Sequence, residues 1–195
     1  MRILKLVVSW FSLLYLTLYI PFVFMVYFSP WYKLNCRLHP ISQRIPTEKA
    51  SVYVHQLTGF FIHTHQLETD WSPKEKFHMT EVRDIFDFLA GAAILSLAFF
   101  CLLFNKKHTG KCAAINLVII LSLTIILPFF SYFWKHILHP LLFNNLAWKT
   151  NPMDVSFFLL PPAFFKYSMI LIIFVSFVIN LSVWMGLKGK KTESL

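Results

Sequence analysis

The sequence predicts an all-α integral membrane protein, because its composition and its long apolar runs both differ from those of a soluble domain. Hydrophobic residues fill 57% of the 195 positions and charged residues only 14%, against about 45–50% and about 25% in average soluble domains. Crossing a hydrocarbon layer about 30 Å thick takes about 20 helical residues. Four runs meet that length, and they cover residues 3–28, 85–104, 113–134 and 168–187. Since backbone polar groups in lipid must pair within their own segment, each run is expected to be a helix.

The first run has two basic residues at its start, Arg2 and Lys5, as a secretory signal would. Its apolar stretch exceeds the about 7–15 residues of a signal core, and no small-x-small cleavage site follows it. We therefore expect a retained anchor helix.

The basic residues predict how the chain is oriented. Of the 18 lysines and arginines, eight crowd into three very short segments: Arg2, Lys5, Lys106, Lys107, Lys111, Lys188, Lys190 and Lys191. Such crowding marks the cytoplasmic side of a membrane. Both termini and the 105–111 connection are therefore predicted inside, and segments 29–84 and 135–167 outside, within one membrane-embedded domain of residues 1–195. The net charge of +9 then indicates contact with anionic lipid headgroups and not with nucleic acid.

The two exterior segments have different compositions. The first is mixed and polar, with one helical piece whose apolar face carries Val54, Leu57, Phe60 and Phe61. The second is apolar but broken by prolines from Pro140 to Pro162, so it should lie along the membrane interface. A broken apolar segment beside polar groups is what a pocket for a lipid chain with a polar head requires.

Polar residues surround the predicted start of the second span. His78 and Glu81 are three residues apart and share a helix face, and Thr80 is placed to cap the helix. One interpretation is that these charges only stabilise the helix end. The other is that Glu81 or Asp84 orients His78, so that its imidazole acts as a general base.

Further histidines lie beyond the third span. His136 and His139 are three residues apart, and Pro140 is expected to end the helix there. The short 105–111 turn makes the second and third spans antiparallel neighbours, which would bring His78 and His139 to the same membrane face. An alternative is a metal-binding or pH-sensing protein without enzymatic activity, which would use His55, His63, His65 and His136, although their spacing matches no established metal motif.

Two runs resemble the motifs of the bacterial lipoprotein intramolecular transacylase family, Lit. His78-Met79-x-Glu81-Val82-Arg83 is similar to the motif HMxDVK, with Glu81 and Arg83 in place of Asp and Lys. A second motif is matched in order by His139, Phe143, Asn145, Trp148, Pro152, Asp154, Pro162, Phe164 and Phe165. Leu138 and Ala163 depart from it, and the exterior segment is short for the family. The resemblance extends over almost the whole chain in its order of spans.

The resemblance implies a membrane acyltransferase with an active site on the extracytoplasmic face of the bacterial plasma membrane. Enzymes of this family move the sn-2 acyl chain of a diacylglyceryl lipoprotein to the amino group of its N-terminal cysteine, which leaves a lyso-form lipoprotein. The expected partners are this lipoprotein and membrane lipid, no cofactor or metal is expected, and the oligomeric state stays open.

The resemblance also implies roles for individual residues. His78 and His139 are the expected catalytic acid and base, in either order. Glu81 or Asp84 would orient a histidine, and Arg83 or Asn145 would donate hydrogen bonds to carbonyl oxygens. The remaining supporting residues are Trp148 and Asp154.

Overall fold

The computed structural model describes residues 2–188, and every regular element in that range is a helix, as predicted. The helices are α1 (Arg2–Tyr27), α2 (Ser29–Leu38), α3 (Thr47–Phe61), α4 (Pro73–Leu103), α5 (Lys106–Leu142), α6 (Val155–Leu159) and α7 (Pro162–Leu187), with a short 3₁₀ turn at Ser42–Arg44. The predicted cytoplasmic lysines Lys190 and Lys191 lie outside the described residues.

Four helices are long and apolar enough to cross a membrane, which confirms the predicted number of spans. They are α1, α4, α5 and α7. Only 6% of the apolar window of α4 is buried inside the protein, and Leu102 is 80% exposed. Contact with lipid suits these side chains, because exposing so large an apolar surface to water would be unfavourable.

Helix α4 begins well before the predicted residue 85, so the prediction that Thr80 caps it is wrong. The Thr80 hydroxyl donates to the Lys76 carbonyl inside the helix, at 2.8 Å. The cap is a reciprocal pair about two turns earlier, in which the Ser72 N–H donates to Glu75 Oε2 at 2.9 Å and the Glu75 N–H to Ser72 Oγ at 3.3 Å. Pro73 fits the first helical position because it has no N–H to satisfy.

Helix α5 changes geometry along its length. An α-helical part (Lys106–Ser122) passes into a 3₁₀ part (Leu123–Phe129), a short α-turn (Phe130–Tyr132), a π-helical part (Phe133–Leu138) and a last α-turn (His139–Leu142). The prediction that Pro140 ends this helix is therefore wrong. Pro140 lies at the start of the segment His139–Leu142, and a proline is tolerated there because it has no N–H to satisfy.

By internal contacts the chain forms two compact units. The first comprises residues up to Phe22, Leu89–Ile125 and the chain from Ile170 onward. Its helices are joined by buried polar side chains: Trp10 Nε1 donates to Asn116 Oδ1 at 2.8 Å, and Asn116 Nδ2 donates to Asn180 Oδ1 at 3.0 Å. Ser176 Oγ adds a bond to the Thr17 carbonyl at 2.8 Å.

The second unit comprises Val23–Phe88 and Ile126–Met169. Its core includes Trp71, Leu57, Val54 and Leu159, all at most 1% exposed. The predicted helix of the first exterior segment is α3, and its apolar face is buried in this core. All candidate catalytic and supporting residues belong to this unit.

Candidate active site

His78 and His139 come together in the second unit. Their ring centroids lie 6.3 Å apart, and the residues are 8% and 7% exposed. Phe143 packs against both rings, with centroids 4.6 Å from His78 and 5.7 Å from His139. Two imidazoles from separate helices therefore share a largely desolvated site.

The π-helical part of α5 fixes His139. Its backbone N–H bonds to the Trp134 carbonyl, and its Nδ1–H donates to the same oxygen at 2.7 Å. Because a carbonyl only accepts, Nδ1 must carry the proton, and Nε2 of the neutral ring then holds the lone pair. The rings of Trp134 and Trp148 pack on the imidazole with centroids at 4.7 and 4.6 Å.

Glu81 is the carboxylate beside His78. His78 Nδ1 lies 3.6 Å from Glu81 Oε2, which is an ion-pair distance and too long for a hydrogen bond. Both atoms are buried, and neither has a hydrogen-bond partner within residues 2–188. The other oxygen, Glu81 Oε1, accepts from Asn145 Nδ2 at 2.7 Å. Asn145 therefore fixes the carboxylate that faces His78.

The other charged candidates on α4 take different positions. The Arg83 guanidinium lies 4.3 Å from the centre of the Phe60 ring, and its buried Nε has no partner in the described range. Asp84 is exposed. Of the two carboxylates considered for orienting His78, the structure thus brings Glu81 to it and leaves Asp84 at the surface.

Asp154 anchors the segment that carries Asn145 and Trp148. Its Oδ2 accepts from the Asn151 N–H at 2.6 Å and from Lys74 Nζ at 3.4 Å. Lys74 also donates to the Lys149 carbonyl. The first turn of α4 therefore holds the loop that packs on His139.

Sequence reasoning missed Glu75, which is only 2% exposed. One carboxylate oxygen accepts from the Ser156 N–H and hydroxyl, each at 2.7 Å, and the other from the Ser72 N–H and hydroxyl, each at 2.9 Å. The spacing Ser72-x-x-Glu75 is a readable capping signal. The bond to Ser156 has no local signal, because the two residues are 81 positions apart.

The four histidines of the metal-binding alternative do not form one cluster. His55 and His65 contact each other edge to face, with ring centroids 4.6 Å apart, His63 Nε2 lies 3.1 Å from Asp87 Oδ2, and His136 packs on Tyr132. Within the described residues, no three His, Cys, Asp or Glu side chains form a group that could hold a metal ion.

Comparisons with known proteins agree with the fold and the motifs. The model of the family "Lipoprotein intramolecular transacylase Lit" matches residues 7–165. No curated protein sequence matches. The structure of the membrane integral transacylase Lit from Bacillus cereus superposes with a TM-score of 0.85 at 17% identity, covering 98% of this chain and 97% of that one.

Two variants of the Bacillus cereus protein superpose as well. One has a histidine replaced by alanine (TM-score 0.79, 17% identity, 95% of this chain and 91% of that one). The other has a histidine replaced by arginine (TM-score 0.80, 17% identity, 100% and 94%). At this identity the structures support the fold, while the family match extends over most of the chain: this protein belongs to the lipoprotein intramolecular transacylase (Lit) family.

Proposed function

We propose that this protein moves the sn-2 acyl chain of a diacylglyceryl lipoprotein to the α-amino group of the lipoprotein's N-terminal cysteine. The ester bond to the glyceryl oxygen breaks, an amide bond forms, and a lyso-form lipoprotein with a free glyceryl hydroxyl remains. The family match supports the transacylase activity. The observation that carries the catalytic assignment is the pair of buried imidazoles, His78 and His139, 6.3 Å apart.

His139 acts as the general base. Its Nδ1–H is held by the Trp134 carbonyl, so Nε2 of the neutral ring is the atom that can accept a proton. It takes that proton from the attacking amine as the tetrahedral intermediate forms. Because amine and ester belong to one substrate molecule, much of the entropy loss of a bimolecular reaction is avoided.

His78 acts as the acid. The Glu81 carboxylate, 3.6 Å away, stabilises an imidazolium, which can donate to the oxyanion and then protonate the leaving glyceryl oxygen. Proton transfer by a positioned side chain typically contributes about 10²–10⁴-fold in rate. After one turnover His139 holds the proton of the amine and His78 lacks the proton given to the glyceryl oxygen. Transfer of one proton from His139 to His78 restores both rings, so the proton balance closes with these two residues.

Neighbouring residues complete the proposed site. Asn145 orients Glu81, and Arg83 supplies a donor for a substrate carbonyl. Trp148 and Phe143 form an apolar wall that excludes water from the imidazoles, which strengthens electrostatic interactions inside the site. Asp154 keeps the loop of Trp148 in place.

The proposed orientation puts this site at the extracytoplasmic face of the bacterial plasma membrane, with both chain termini in the cytoplasm. It is supported by the crowding of lysines in the 105–111 connection. A diacylated lipoprotein presents its glyceryl ester at the same face.

The experiment that tests this function is mass spectrometry of the N-terminal peptide of a reporter lipoprotein, from cells with and without the protein. We expect the lyso-form only when it is present, and its loss in both His78→Ala and His139→Ala at unchanged protein level. His55→Ala and His63→Ala are the matched controls and should keep most of the activity. If the double variant loses no more than either single one, the two residues act as a unit.

Three results would contradict the proposal. One is full activity in His78→Ala or His139→Ala. The second is an acyl chain that stays on the glyceryl group when the wild-type protein is present. The third is activity that disappears on chelation and returns with added zinc, which would mean that a bound metal ion and not the imidazole pair carries the chemistry.

A further inference from the structure

A basic groove lies in the first unit, and none of its lining residues belongs to the candidate active site. It has a volume of about 660 Å³, which falls within the usual range of ligand pockets, about 300–1,000 Å³. Its lining residues come from the start of α5, the end of α7 and the residue that follows α7: Lys106, Lys107, Gly110, Lys111, Ala114, Ile115, Trp184, Leu187 and Lys188.

Within residues 2–188, the lysines of this groove form no ion pair with a carboxylate. The sequence holds no Asp or Glu between Asp87 and Asp154, nor between Asp154 and Glu193. Lys188 instead lies over the ring of Trp184, with Nζ 4.4 Å from the centroid. Four positively charged lysine side chains therefore line one groove.

The wall of the groove is apolar. Ile115, Trp184 and Leu187 line it, and α5 comes close to α7 here, because a Cβ on Gly110 would meet Leu187 Cβ at 3.4 Å. A free inorganic anion would gain nothing from these side chains. A molecule with a negative headgroup and a hydrocarbon chain would match both the cations and the wall.

We propose that the groove binds an anionic phospholipid such as phosphatidylglycerol. Its phosphate lies among the ammonium groups of Lys106, Lys107 and Lys111, and part of one acyl chain lies along Ile115 and Trp184. Basic pockets between membrane-spanning helices are known to take lipid headgroups of this charge. The lipid would fasten the end of α7 to the start of α5 and takes no part in acyl transfer.

Trp184 provides a direct probe of this site. The full-length protein is reconstituted in phosphatidylcholine vesicles, and its fluorescence is titrated with phosphatidylglycerol brominated on the acyl chain, which quenches nearby tryptophans. The quenching that disappears in Trp184→Phe reports the groove. We expect half-saturation at a mole fraction at least about tenfold below that of brominated phosphatidylcholine, and no competition by millimolar inorganic phosphate.

Charge variants separate a site from general surface attraction. At about 1 kcal/mol for each basic residue near a lipid surface, the triple change Lys106→Gln, Lys107→Gln, Lys111→Gln should weaken this binding by about 10²-fold. The matched control removes three exposed lysines elsewhere, Lys33→Gln, Lys49→Gln and Lys135→Gln, and should leave it within about twofold. Equal quenching by both brominated lipids, equal loss in both triple variants, or displacement by inorganic phosphate would overturn the proposal.

Discussion

At the scale of single residues, the main asymmetry of the site is between its two imidazoles. His139 is fixed through Nδ1 to a backbone carbonyl, whereas His78 faces a carboxylate. The carbonyl selects the neutral tautomer whose Nε2 can accept a proton, and the carboxylate favours a protonated ring that can donate one. The two roles can therefore be separated by experiment.

We predict that a substrate with a better leaving group rescues only the loss of the acid. In an analogue whose sn-2 acyl chain is attached through sulfur, the leaving thiol has a pKa of about 8.5 and departs without protonation. His78→Ala should then regain at least about 10²-fold relative to its rate on the oxygen ester. His139→Ala should stay inactive above the enzyme-free background.

The measurement is single-turnover formation of the amide, followed by mass spectrometry. Equal rescue of both variants, or rescue of His139→Ala alone, would contradict the division of roles.

Glu75 gives a second prediction at this scale. Its carboxylate holds the backbone N–H groups of Ser72 and Ser156 in a buried place, and leaving buried donors unsatisfied costs about 1–3 kcal/mol each. Glu75→Ala should therefore lower the thermal unfolding midpoint of the detergent-solubilised protein by several degrees. Glu48→Ala, which removes an exposed carboxylate in the first turn of α3, is the control and should change it little. An unchanged midpoint in Glu75→Ala would mean that the buried bonds add nothing.

At the scale of elements, α5 decides whether the two histidines meet. Its π-helical part, Phe133–Leu138, holds one residue more per hydrogen-bonded turn than an α-helix, and such insertions are frequent at functional sites. Each residue in an α-helix advances by about 100°. The extra residue therefore sets the direction in which His139 leaves the helix.

We predict that deleting Ile137, a 48% exposed residue of this part, abolishes formation of lyso-form lipoprotein. The deletion converts the π-turn into an α-turn and rotates His139 away from His78. Ile137→Ala keeps the length of the helix and should retain most of the activity. Protein level in the membrane is measured for both, and an active deletion variant would show that the π-turn does not set the catalytic geometry.

Hydropathy predicted the four long helices because apolar length is a local property of the sequence. It misplaced the start of α4, since the charged residues from Lys74 to Asp84 look like an exterior loop although they form helical turns. The short 105–111 turn was enough to predict that His78 and His139 come together, because it makes the second and third spans antiparallel neighbours. Their catalytic role stays a prediction. The contacts of Glu75 with Ser156 and of Asn145 with Glu81 depend on long-range packing, which no local pattern records.

At the scale of the whole molecule, the orientation in the membrane can be tested with single cysteines in a background without Cys36, Cys101 and Cys112. We predict that a membrane-impermeant maleimide labels Thr69→Cys in intact cells. It should label Lys107→Cys only after permeabilisation. Both positions are exposed, so accessibility does not bias the comparison. Labelling of Lys107→Cys in intact cells at the rate of Thr69→Cys would reverse the topology.

Native Cys36 is a poorer reporter of orientation. Burial raises the pKa of its thiol, so at neutral pH less of it is the reactive thiolate than for an exposed cysteine. Its labelling from outside should be slow at pH 7 and rise as the pH approaches that raised pKa.

The buried polar chain of the first unit has a consequence for biogenesis. As the chain is synthesised, Asn116 can accept from Trp10 once α1 and α5 are inserted, but the amide group that it donates finds Asn180 only when α7 arrives. An unpaired amide in hydrocarbon is costly. Helix α7 therefore completes this set of hydrogen bonds, and a chain truncated before α7 leaves the Asn116 amide without the partner that it has in the folded protein.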